Sequence, residues 1–233
     1  MKRIVTGIAL ATFALLVMPL GAQDVAKDVQ QKLAAAKAAA ARNQKALRSY
    51  SWIETTELSL KGEVKNNKVD MCKYGPDGKV LRTPVLEPTP AEKKRGLKGK
   101  IVAKKTGELK EELEAALDLV QRYVPPSPDL MQSVISAGTA SISQAGPGAA
   151  SLKFPGYVKK GDALTLTFDS TVNSLRQIEV STWLDEPESA VNLKVMMQAM
   201  TGGITYPGTI VFALPKRQLE VRITKSNYQK IAQ

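Results

Sequence analysis

The spacing of apolar positions changes character along this chain. From Asp24 to Arg48, Val25, Val29, Leu33, Ala36, Ala40 and Leu47 recur at helical intervals among alanine, lysine and glutamine, which predicts a helix over 24–48 with a thin apolar stripe. Such a stripe needs a partner surface, and the following sheet is the simplest one. At "SYSWIETTELSLKGEVKNNKVDMCKYGPDGKVLRTPV" the period becomes two. Tyr50, Trp52, Leu58 and Leu60 fall at even spacing, predicting three strands within 49–85 with turns at Asn66-Asn67 and "GPDGK". A proline-then-lysine loop spans 86–107. Leu109, Leu113, Leu117 and Val120 then mark an amphipathic helix stopped by Pro125 and Pro126, and Ser127-Pro128 opens another that ends near Gly138, placing helices within 108–138. From Ala140 the alternation returns as up to seven strands over 140–224, broken at "GPG", "PGYVKKGD", "DEPES", "TGGITYPG" and "PKR". No period of 20 to 50 residues repeats, which excludes a solenoid or propeller.

These elements predict an α+β, mainly β chain. Its curved antiparallel sheet forms an incomplete β-barrel, and the N-terminal helix and helical insertion cover the concave face. The residues predicted to line that face are Tyr50, Trp52, Leu58, Leu164, Leu166, Phe168, Ile178, Val180, Leu193, Val195, Met197, Phe212 and Leu214, each on the more apolar side of its strand. Two outcomes are open: helices pack the face solid, or they leave an apolar cleft for a ligand. Met196, Met197 and Met200 suit an adaptable surface.

The first residues, "MKRIVTGIALATFALLVMPLGAQ", set Lys2 and Arg3 ahead of an apolar run and the small residues Gly21 and Ala22. That layout predicts a signal peptide over 1–22 and export to the periplasm, or beyond the cell as the alternative. The residue directly after the cleavage site is Gln23 and not cysteine, so a lipid anchor is not expected. Residues 23–233 then form one domain, whose formal charge falls from +11 to +9 once Lys2 and Arg3 leave. The full chain is 43% hydrophobic, which is not the composition of a disordered one. Cys72 is the only cysteine, which rules out an intramolecular disulfide and reads as a buried small side chain. Histidine is absent, which removes the usual general base, the commonest metal ligand and every Ser-His or Cys-His arrangement.

The most basic stretch is "EKKRGLKGKIVAKK", with Lys93, Lys94, Arg95, Lys98, Lys100, Lys104 and Lys105. Without interleaved aromatic residues or a base-reading motif it is not expected to bind nucleic acid. It reads as an exposed loop suited to an anionic membrane surface. Enzyme chemistry has little to stand on. Asp185, Glu186 and Glu188 sit in a turn without the alternating oxygen ligands of a calcium loop, and Gly146, Gly148, Gly156 and Gly161 lack the strand, helix and lysine of a phosphate cradle. No catalytic residue, metal or cofactor is predicted.

The order of a leader, an N-terminal helix running into "SYSWIETTELSLKGEVK", a helical middle, many antiparallel strands and "KRQLEVRITKSNYQKI" at the end resembles the periplasmic outer-membrane lipoprotein carrier and its relatives. The chain also resembles uncharacterised secreted bacterial proteins with the same "DGK" hairpin and "SNYQK" ending. The carrier resemblance implies an incomplete barrel with a hydrophobic cavity for acyl chains, and hence an acyl lipid or lipidated protein as partner. It transfers no site residue. The alternative is a packed half-barrel acting as a protein-interaction or envelope-structural module.

Overall fold

In a computed structural model of the chain, residues 31, 34, 35, 38, 39, 41–85, 97–172 and 174–231 are described, those of 97–106 by backbone path alone. The expected leader, most of the first half of the expected N-terminal helix, and Lys93, Lys94 and Arg95 lie outside the described residues. Helix α1 is helical over 41–47, where Leu47 is buried.

Strands β1 (Tyr50–Leu60) and β2 (Glu63–Tyr74) are joined at Lys61 and Gly62, with φ of 55° and 77°. Two successive positive φ values make a mirror-image turn that matches the twist of paired strands. The turn is therefore not at Asn66-Asn67. Those residues lie inside β2, opposite Leu58 and Glu57 beside a register shift. The "GPDGK" turn leads as expected into β3 (Val80–Pro84): Gly78 takes φ 77° and the Lys79 amide donates to Asp77 Oδ1 at 3.0 Å.

Helix α2 runs over Leu97–Val120, so it begins ten residues before the expected end of the basic loop. The prolines of that segment stop at Pro90, and leucine, lysine and alanine beyond them favour helix strongly enough to carry Gly99 and Gly107, which cost about 1 kcal/mol each. Helix α3 (Pro128–Ser136) starts where the sequence placed it: Ser127 Oγ accepts from the Leu130 amide at 3.4 Å and Pro128 occupies the first turn.

Seven strands follow: β4 (Ser141–Gly146), β5 (Ala149–Pro155), β6 (Ala163–Asp169), β7 (Leu175–Trp183), β8 (Ala190–Ala199), β9 (Thr205–Leu214) and β10 (Leu219–Lys230). Half of "TGGITYPG" belongs to β9 rather than to a loop. Pro207 is tolerated there because a register shift lies beside it, between Met196 and Met197. Strand β10 runs six residues past Thr224, and its end pairs with the start of β1, Tyr50 opposite Lys230.

All ten strands form one antiparallel sheet in the order β3-β2-β1-β10-β9-β8-β7-β6-β5-β4, which is not closed into a barrel. The β1–β10 pairing joins the N-terminal three strands to the C-terminal seven. The core lies between β5–β10 and the helices: Phe154, Leu164, Phe168, Leu193 and Phe212 share one buried cluster with Val120 at the end of α2, Tyr123 in the turn after it, and Met131 and Val134 of α3. Beneath it the buried Asp162 carboxylate accepts from the Tyr123 hydroxyl and from the Val158 and Lys159 amides, and Tyr123 Oη lies 2.9 Å from Thr182 Oγ1. This network locks the β5–β6 connection against the β7 end. Gly161 in that connection has φ 95° and leaves no room for a Cβ beside Trp183.

Candidate functional site

The concave face has three zones. In the first, Leu164, Leu166, Phe168, Ile178, Val180, Leu193, Val195, Phe212 and Leu214 are buried in the cluster under α2 and α3. The second is a strip of half-buried apolar side chains at the edge of that cluster: Leu58 and Leu60 on β1, Val221 on β10, Ile210 on β9 and Met197 on β8. The third surrounds Trp52 at the far end of β1. Trp52 stacks on Tyr228 at 5.5 Å and meets Tyr74 at 5.3 Å; Tyr228 in turn contacts Tyr206 at 4.2 Å and Tyr50 at 6.5 Å. The predicted lining residues are thus divided among three environments.

The third zone also holds five charged residues that the alternation alone did not single out. Glu54 follows Trp52 on the inward side of β1 and faces Asp70 on β2 and Lys225 on β10. Glu54 is 3% exposed and Asp70 2%. Arg82 Nε on β3 donates to Glu54 Oε1 at 2.8 Å, and Lys225 Nζ lies 3.7 Å from Oε2. Lys225 also sits 5.7 Å from the Trp52 ring, within cation–π range. Lys68 takes Asp70 Oδ2 at 2.8 Å. Among the described residues two buried side-chain polar atoms have no partner, Asp70 Oδ1 and Trp52 Nε1. The signal in the sequence was the interruption of inward registers by charge, at Glu54 after Trp52, at Asp70 before Cys72 and at Lys225 after Ile223.

Burial, then the Glu54 carboxylate, pushes the Cys72 thiol up to about 11 from its ordinary 9.0. Burial raises the Tyr228 hydroxyl, with Tyr74 adding to it, and burial and the bond to Asp162 raise Tyr123. Burial lowers the Lys225 ammonium, an effect that Glu54 opposes. Between pH 9.0 and about 11 the unfolded chain loses the Cys72 proton while the folded chain keeps it, so stability falls as pH rises. The two tyrosines act with the same sign. Lys225 acts oppositely, because its folded form releases the proton before the unfolded form does. Cys72 alone contributes a loss of about 2–3 kcal/mol across that window. Urea midpoints at pH 8 and 11 should show a drop in stability that Cys72→Ala reduces by that amount. An equal drop in the variant would acquit the thiol.

Lys98, Lys100, Lys104 and Lys105 of the basic run lie on the helical backbone of α2 rather than in a loop. Asp185 borders a cleft of about 450 Å³ with Glu108, Glu111, Glu112, Lys216 and Arg217, where Arg217 Nε donates to Glu112 at 2.6 Å. Among the described residues no group of three or more Cys, Asp or Glu side chains is placed to hold a metal ion, and no helix is long and apolar enough to cross a membrane.

No family model matches the chain, and no curated protein matches it. Among solved structures it is similar to a DUF1329 family protein from Desulfovibrio piger ATCC 29098, with a TM-score of 0.40 at 9% identity over 87% of this chain and 92% of that one. It is also similar to a LolA superfamily protein from Nitrosomonas europaea, with a TM-score of 0.37 at 8% identity over 85% of this chain and 94% of that one.

Proposed function

We propose that this protein is an exported, non-enzymatic carrier that holds the acyl part of an amphiphile, a lipid or a lipidated protein, on its concave face. The observation that carries this reading is the half-buried strip of Leu58, Leu60, Val221, Ile210 and Met197, apolar and continuous with the buried cluster but not covered by it. An apolar strip between a packed wall and a polar end suits an amphiphile, because the acyl chain leaves water while the head keeps polar contacts. The leader pattern supports a periplasmic location, or an extracellular one as the alternative. The basic run would add attraction to anionic membranes.

Native mass spectrometry with lipid extraction, on protein purified gently from its own envelope, tests the reading. The expected result is a reproducible added mass resolving into one class of acyl lipid or lipidated peptide. Leu58→Glu, which puts a charge on the strip at a half-buried position, should lower its retention at least about tenfold. A clean unliganded mass that phospholipids do not change would overturn the proposal.

The second reading, an interaction module, is favoured by a different observation. On the outer side of the β2–β3 edge Met71, Leu81 and Val85 are exposed, and β3 ends the sheet. A bare apolar edge of this kind suits a protein partner.

A further inference from the structure

The buried charges beside Trp52 do more than balance one another. Glu54 has both oxygens engaged, by Arg82 and Lys225, whereas Asp70 has only Oδ2 engaged, by Lys68. Asp70 Oδ1 is shut from water without a donor, and Trp52 Nε1, a diagonal neighbour on the same face, is shut from water without an acceptor. An unpaired carboxylate oxygen in such a place has given up its hydration without a hydrogen bond in return. Arg82 meanwhile spends its Nε on Glu54 while its side chain stays 47% exposed at the β3 edge, and the two terminal amino groups of its fork carry further N–H donors. The zone thus offers a missing donor deep inside, a missing acceptor beside it, and a cationic fork outside.

We propose that this cluster is the polar subsite of the concave face and takes the zwitterionic head of an aminophospholipid, its ammonium donating to Asp70 Oδ1 and its phosphate accepting from Arg82. The inference rests on the carrier reading above and names the head group that goes with the acyl chain. Glu54 and Leu60 are six residues apart on one strand, about 20 Å, so a head at Glu54 and Asp70 leaves its chain running along Leu58 and Leu60. A primary ammonium supplies the N–H donors Asp70 needs, and Arg82 presents a planar fork suited to phosphate. A trimethylated ammonium has the same charge and no N–H to give.

The test offers the protein mixed vesicles of phosphatidylethanolamine, phosphatidylcholine, phosphatidylglycerol and diacylglycerol with identical acyl chains, and reads the retained lipids by extraction and mass spectrometry. Phosphatidylethanolamine should exceed phosphatidylcholine about tenfold, the size of one charge-assisted hydrogen bond. Asp70→Asn, which keeps an acceptor and loses the charge, should cut that preference to about threefold or less. Arg82→Gln, whose amide can still donate to Glu54 but carries no charge, should lower both of these lipids relative to diacylglycerol. Equal retention of all four lipids overturns the subsite and leaves the carrier reading standing; retention of none overturns the carrier reading itself. A preference for phosphatidylglycerol overturns the ammonium assignment, and displacement by an equal concentration of soluble glycerophosphoethanolamine overturns the assignment to a lipid.

Discussion

Phe154→Ala is expected to destabilise the protein by about 3–5 kcal/mol. Phe154 is wholly buried on β5, opposite Leu164, in the cluster that α2 and α3 close from above. Removing the ring forfeits its transfer energy and leaves a void, since neighbours on a paired strand cannot collapse far without breaking the ladder. Urea denaturation reads the loss directly. The number also separates a packed wall from an open one, because a side chain lining a cleft has fewer atoms to lose contact with. A cost below about 1 kcal/mol would mean that the helices do not seal this part of the face. The strip at Leu58 and Leu60 lies outside the most buried region, so the fraction of the variant that remains folded should still retain whatever the native protein retains.

Glu54→Ala should cost about 2–4 kcal/mol, somewhat less than the full loss on breaking a buried pair, because Arg82 is half exposed and can turn to water. Lys225 cannot do so as easily. Burial already lowers its ammonium, and Glu54 is the group opposing that shift, so removing the carboxylate should lower the Lys225 pKa further. Two measurements check this: the urea midpoint, and titration of Lys225 by NMR in native and variant protein. Glu54→Gln, which keeps an acceptor for Arg82 without the charge, should recover part of the stability and little of the Lys225 shift. A Lys225 titration unmoved by either substitution would show that the pair does not set its ionisation.

Much of the fold was legible because strand and helix leave different apolar periods. The alternation in "ALTLTFD" and "LRQIEVSTWL" predicted β6 and β7, and Ser127-Pro128 predicted the start of α3, since each signal is local and has one physical cause. The errors share a different cause. Asn66-Asn67 carries turn residues, but Lys61-Gly62 five positions earlier supplies the two positive φ values the hairpin needs. "TGGITYPG" reads as a loop because Pro207 ordinarily ends a strand, and only the register shift opposite it makes β9 possible. The basic run reads as loop by charge alone, although its residues from Leu97 onward are acceptable in a helix.

By itself the sequence determined the inward side of β1 and of β6 to β9, the absence of histidine chemistry and of an intramolecular disulfide, and the mainly β, antiparallel class, because these depend on neighbours two to four residues apart or on composition. Tertiary structure decided which inward residues meet. Glu54 and Lys225 are opposite each other only because β1 pairs with β10 across most of the chain, and Asp70 and Arg82 join them only because β2 and β3 fold back on the same edge. It also divided one run of apolar positions into a sealed core, a half-buried strip and a charged aromatic end. Period two says which side of a strand faces inward; what stands opposite that side is set by long-range pairing and by where the helices come to rest.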